Sequence, residues 1–188
     1  MNIWHDINPK RINRDEFLTV VEIAKGSKNK YELDKETGAL LLDRILYTST
    51  HYPHNYGFIP LTYADDLDPL DVLIITSEPI IPLTLVKSKP VGVLHMIDGG
   101  YRDEKIIAVA CMDPFYNQVN DIDELPAHVF EEIKHFFEVY KNLEDKPTAV
   151  YHVENKAAAQ KIIDKALESY KSEILPKLTK CSTRDIHF

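Results

Sequence analysis

Four aspartates, Asp65, Asp66, Asp68 and Asp71, crowd the segment ADDLDPLDVLIIT, and an apolar run from Val72 to Ile75 follows at once. The charge therefore sits against the rim of a core. Two unit charges about 4 Å apart repel by roughly 4 kcal/mol at an effective dielectric near 20, a large penalty beside a total stability of roughly 5–15 kcal/mol. Such acids splay into water, stay partly protonated, or are neutralised by cations. Splaying is the usual fate of an arbitrary acidic loop, but the spacing here favours cations. Asp66 and Asp68 share a side of an extended chain. Pro69 bends the backbone and bars a central-strand hydrogen bond, and Asp71 then opens a strand. Three carboxylates converging at the edge of a rigid sheet make a hard oxygen site suited to Mg²⁺ or Mn²⁺. A calcium EF-hand loop counted from Asp66 fails, because Leu70 stands where an acid is required and Asp71 where the glycine is required.

Other charged groups are placed to share such a site. In KYELD, alternation puts Lys30, Glu32 and Asp34 on one strand face. A solvated face explains Asp34 well and Glu22 poorly, since Val21 and Ile23 bracket Glu22. Arg44 lies mid-strand between Leu42 and Ile45, a costly place for a cation without an anionic partner. Asp98 ends an apolar strand, and Asp103 and Lys105 follow the Gly99-Gly100 turn in what reads as a polar hairpin tip. HYPHNYGFIP carries Tyr52 and Tyr56, whose hydroxyls can donate to phosphate oxygens. His51 and His54 in the same segment lack a third zinc ligand nearby and read as surface-loop residues. Tyr140 and Lys141 end an aromatic helix stripe, where core packing accounts for Tyr140 alone.

The elements that must position these groups come in a simple order. Strands are expected at Phe17–Ile23, Lys30–Asp34, Ala39–Tyr47, Asp71–Thr76, Val91–Asp98, Lys105–Met112 and Thr148–Val153, with GGYRDE as a hairpin loop. Helical spacing aligns Val129, Phe130, Ile133, Phe136, Phe137 and Tyr140, with Pro126 in the first turn. A second helix aligns Ile162, Ile163, Ala166, Leu167, Tyr170 and Ile174. Strands first and helices last give an α+β architecture. The chain, residues 1–188, reads as one domain, with 175–188 as a mobile tail.

The 188 residues carry 22 Lys and Arg against 30 Asp and Glu, a formal charge of −8, which argues against nucleic-acid binding through a broad basic face. The two cysteines, Cys111 and Cys181, make neither a disulfide framework nor a metal motif. No apolar h-region opens the chain and no apolar run reaches membrane-spanning length. The expectation is a soluble cytoplasmic protein with no membrane partner.

Together, DLDPLDV (Asp66–Val72), KYELDKETGALLLDR (Lys30–Arg44), YPHNYGFIP (Tyr52–Pro60), PVGVLHMID (Pro90–Asp98) and HFFEVYKNLE (His135–Glu144) resemble, in order, segments of the family I soluble inorganic pyrophosphatases of prokaryotic type. The resemblance implies a five-stranded, OB-like closed barrel with flanking helices, and Mg²⁺-dependent hydrolysis of pyrophosphate to two phosphates, with Mn²⁺ as a substitute ion. It implies that Asp66, Asp71, Asp98 and Asp103 hold metal and that Asp68 takes a proton from the attacking water. Lys30, Arg44, Tyr56, Lys105, Tyr140 and Lys141 match phosphate-contacting positions, and Glu22, Glu32 and Tyr52 match supporting ones. A homohexamer is implied by the same resemblance. Two positions depart from the pattern. Leu67 replaces a small residue, which disfavours a positive φ in the loop, and Gly99 stands where many members carry a second acid. The rival readings are another metal-dependent phosphohydrolase, although no P-loop is present, and an OB-type module for single-stranded nucleic acid, which would need a basic groove with stacking aromatics.

Overall fold

The computed structural model describes residues 2–144, 146 and 148–182. Strand β1 (Phe17–Ile23) is buried at every position, as FLTVVEI demands once both of its faces are covered. The same holds for most of β4 (Asn55–Phe58), β5 (Asp71–Ile75) and the second half of β7 (Tyr101–Ala110). Alternate residues of β5 and β7 enter two different cores. Val72, Ile74, Ile106 and Ala108 pack in one with Ala159, Ile163 and Ala166 of helix α2 (Lys156–Ser169). Leu73, Ile75, Ile107 and Val109 pack in the other with Ile133, Phe136 and Phe137 of helix α1 (Ala127–Val139). Continuous apolar runs in these strands are thus the signature of a sheet layered between helices.

The pairings run in a circuit. β1 lies antiparallel to β4, β4 antiparallel to β5, β5 parallel to β7, β7 antiparallel to β6 (Leu85–Asp98), and β6 antiparallel back to β1. β8 (Thr148–Asn155) adds to the other edge of β6. β2 (Asn29–Leu33) and β3 (Leu40–Ile45) form a separate two-stranded sheet. The architecture is α+β, with a sheet-dominated core.

Several local features differ from the sequence reading. β4 was hidden by its brevity and its glycine. Gly57 is required because a Cβ there would lie 1.9 Å from the Val20 carbonyl oxygen of β1. β6 starts at Leu85, upstream of Val91, and carries Pro90 at a register shift that relieves the missing N–H. The loop read as GGYRDE shrinks to the Gly99-Gly100 turn, with φ of 56° and 88°, so glycine suits position 99 on conformational grounds. Pro126 caps α1 from just outside it. The second helical stripe runs on from α2 through a π-helical stretch, Tyr170–Ile174, into α3 (Leu175–Ser182). The tail expected to be mobile therefore begins as helix, and 183–188 lie outside the described residues. Among the described residues no helix is long and apolar enough to cross a membrane.

His54 is not a surface residue. It is buried, neither ring nitrogen has a protein partner, and burial pushes its pKa down to about 4. The native state holds it neutral while the unfolded chain, near 6.5, takes up a proton. This contribution is fully present above about pH 6.5 and is lost as pH falls toward 4, by up to about 3 kcal/mol. Denaturant titrations of the wild type and His54→Gln between pH 7 and 4 test this, and the variant should lose less stability across that window.

Candidate active site

A polar cavity of ≈ 300 Å³ opens where β2, β4, β5, β6 and β7 end. Its anchor is Lys105, from β7. The parallel register sets Lys105 beside Asp71 of β5, and its ammonium lies 2.8 Å from Asp71 Oδ2, 2.9 Å from both Asp103 oxygens and 2.9 Å from the Tyr56 hydroxyl. Burial alone would lower the Lys105 pKa, but Asp103 and Asp71 outweigh it and raise it well above the usual lysine value. Burial pushes the Asp103 carboxyl up and Lys105 opposes it. Contact of both carboxylate oxygens with the ammonium argues for the charged pair. Burial also keeps Tyr56 protonated, and its hydroxyl donates to Asp71 Oδ2.

Asp98, Asp68 and Glu32 each have a cationic partner, whereas Glu22 and Asp66 accept from backbone N–H groups. Asp98, at the end of β6, pairs with Lys141 and accepts a hydrogen bond of 3.1 Å from the Tyr140 hydroxyl. Burial would raise its pKa, but Lys141 and Tyr140 hold it below the usual carboxylate range. Tyr140 also packs in the core, between Phe136 and Phe137, so one residue fills both roles weighed for it. Asp68 pairs with Lys35, and Lys30 with Glu32 and, at 3.3 Å, with Asp43. Glu22 accepts the Leu33 N–H at 2.7 Å. Loss of hydration and then the charge of Asp71 push its pKa up to about 8, so it adds little repulsion at neutral pH. Asp66 is pushed up to about 6 by desolvation, then by Asp71 and Asp103.

Of the residues singled out in the sequence, Glu22, Lys30, Glu32, Tyr56, Asp66, Asp68, Asp71, Asp98, Asp103, Lys105, Tyr140 and Lys141 line this one cavity. Arg44 and Tyr52 do not. Tyr52 is buried behind the wall, packed on Tyr56 and Phe136. Arg44 lies across from Lys30 in the β2–β3 register and finds its anions in Asp43 and Glu144, the latter at 2.9 Å. Its Nη2 is buried with no protein partner, a donor left for a further acceptor. Asp65 turns away to Lys165, and Asp34 accepts from the Thr37 hydroxyl in the turn after β2. Lys35 and Glu144 escaped the sequence reading. Lys35 lies in the turn past the end of β2, where strand alternation no longer assigns a face, and Glu144 reaches Arg44 from a hundred positions away.

The lining carries seven carboxyl groups and four lysines, so its formal charge is negative. A small polyanion enters such a cavity only with cations. Five aspartates supply hard oxygen donors that fit divalent Mg²⁺ or Mn²⁺.

Known proteins carry the same plan. The family model described as inorganic pyrophosphatase matches residues 19–171. Soluble inorganic pyrophosphatase 2 of Chlamydomonas reinhardtii is 46% identical over 93% of this chain and 91% of its own length. Soluble inorganic pyrophosphatase 4 of Arabidopsis thaliana is 48% identical over 93% of this chain and 81% of its own. Among solved structures, the inorganic pyrophosphatase of Helicobacter pylori superposes with a TM-score of 0.82 at 46% identity, covering 85% of this chain and 95% of that one. That of Thermus thermophilus gives 0.87 at 36% identity, covering 91% and 99%. Algal and plant relatives thus stand beside bacterial ones, wider than the prokaryotic resemblance alone.

The loop presenting Asp66 and Asp68 is a turn, not an extended segment. Leu67 takes φ of 71° despite its bulk, its N–H donates to the Ala64 carbonyl, and the Asp68 N–H donates to Asp66 Oδ1. A left-handed backbone costs a branched residue about 1–2 kcal/mol. Leu67 is 65% exposed and loses little packing on replacement. Leu67→Asn should therefore raise stability by about 1 kcal/mol, measurable as a higher unfolding midpoint.

Proposed function

The chain belongs to the inorganic pyrophosphatase family, and from that premise we propose how its residues hydrolyse pyrophosphate to two phosphates. The observation that carries the reading is the cluster of Asp71, Asp103 and Tyr56 around buried Lys105, with Asp66, Asp68 and Asp98 on the same cavity. Asp66, Asp71, Asp98 and Asp103 are the residues that would hold Mg²⁺, and Mn²⁺ suits the same oxygens. When bound, the ions offset the charge of substrate and carboxylates and lower the pKa of water from about 15.7 toward neutrality.

The chain's own groups do the rest. Asp68 stands at the cavity mouth, oriented by its ion pair with Lys35. It accepts the proton of the attacking water as the water oxygen bonds to one phosphorus. The bond from that phosphorus to the bridging oxygen breaks, and its electron pair leaves with the second phosphate. Lys30, Lys141, Tyr56 and Tyr140 on the cavity wall hold the two phosphates and stabilise the charge on the leaving one, and Arg44, set back from the lining, adds its spare Nη2 once substrate draws it in. Lys105, expected from the resemblance to contact phosphate, has its ammonium engaged by Asp71, Asp103 and Tyr56, and its role is to position them. Glu22, Glu32 and Tyr52 support these contacts. The circuit of five strand pairings supports reading the sheet as an OB-like closed barrel. The homohexamer and the cytoplasmic setting rest on the resemblance, and sedimentation equilibrium decides the first.

Asp68→Asn should lower turnover by about 10²–10⁴-fold with the unfolding midpoint unchanged; near-normal phosphate release would remove the role. Arg44→Ala should raise KM about 10-fold or more, the worth of a hydrogen bond to a charged group. An unchanged KM would count against Arg44. Phosphate release from pyrophosphate, with and without a chelator and beside nucleotides and phosphomonoesters, separates this reading from a broader phosphohydrolase.

A further inference from the structure

On the opposite face of the sheet from the carboxylate cavity, β6, β7 and β8 gather a second, chemically different cluster. His95 of β6 sits across from Glu104 of β7 and across from His152 of β8. Glu154 lies two positions beyond His152 and so on the same face. Asp103 and Glu104 are neighbours in sequence, and the pleat sends one to the catalytic cavity and the other to this outer face. The two imidazoles stack at 4.8 Å between centroids. His95 Nε2 lies 3.1 Å from Glu154 Oε2, and His152 Nε2 3.8 Å from Glu154 Oε1. His95 Nδ1 faces Glu104 Oε1 at 3.9 Å. One ligand atom from each of His95, His152 and Glu154 falls within 4.8 Å of the others.

We propose that His95, His152 and Glu154 form a site for a borderline divalent transition ion, Zn²⁺ foremost, separate from the oxygen site of catalysis. Two imidazoles and one carboxylate are a zinc donor set, whereas Mg²⁺ prefers oxygen alone. Bonds of about 2.0–2.1 Å in a tetrahedron put ligand atoms about 3.3 Å apart, so the observed spacings close with side-chain rotation. Glu104, 3.9 Å away on the Nδ1 side of His95, is placed to take the orienting role as the ring turns its Nε2 toward the ion. The fourth position opens to solvent beside a cavity lined by Asn155, Ala158, Lys161 and Ile162. An ion here joins β8 to β6, the strand that ends at Asp98, and so stabilises the edge of the sheet without touching substrate.

The test titrates the full chain with zinc chloride in saturating Mg²⁺ and no pyrophosphate, by calorimetry and by thermal unfolding. The wild type should bind stoichiometric zinc and unfold at a higher temperature. His152→Ala and Glu154→Gln, both at exposed positions outside the catalytic cavity, should weaken zinc binding about 10-fold or more while keeping Mg²⁺-supported activity and the native circular dichroism spectrum. Zinc binding equal in wild type and variants, absent from the wild type, or abolished by Mg²⁺ would overturn the site.

Discussion

A buried ammonium among acids is the constraint on which the rest of the molecule turns. Lys105 is 3% exposed and would be ruinous alone, since an unpaired buried cation is far costlier than a folded domain can tolerate. Asp71 and Asp103 are equally unwelcome without it. Each group is tolerable only when the others are fixed within hydrogen-bond distance, and the fixing is done by backbone. The parallel β5–β7 register puts Asp71 beside Lys105, the pleat sends Asp103 to the same side, and β4 delivers the Tyr56 hydroxyl. The apolar runs of those strands, buried against helices on both sides, keep the register from slipping.

This division of labour separates rigidity from reactivity. Groups deep in the cavity are locked by several partners, whereas Asp66 and Asp68 ride on a strained turn at the mouth. The left-handed Leu67 at its apex is the kind of backbone departure that accumulates where chemistry is done. Cations borrowed from distant elements complete the balance: Lys35 from the turn after β2 and Lys141 from the end of α1.

Much of this was legible in the residue order because charge beside a core is expensive and must be answered. Asp68 and Asp71 against an apolar strand, Arg44 in mid-strand and Glu22 between Val21 and Ile23 each announced a missing partner, and each has one, while Asp66 accepts the Asp68 N–H. What stayed hidden was set by tertiary contact. Nothing local told that His54 would be swallowed by the fold, or that Glu144 would answer Arg44. β4 is too short for periodicity to reveal, and its glycine answers to a carbonyl on another strand. The circuit of strands is likewise a property of pairing, which no single segment encodes.

The parallel pairing of Asp71 with Lys105 joins positions 34 residues apart. Chain-closure entropy makes such a non-local, parallel contact slow to form. An intermediate holding only the β6–β7 hairpin would possess Asp98, Asp103 and Lys105 yet lack their counterpart across the gap. The cluster around Lys105 therefore closes only when β5 docks on β7, whatever secondary structure has already formed.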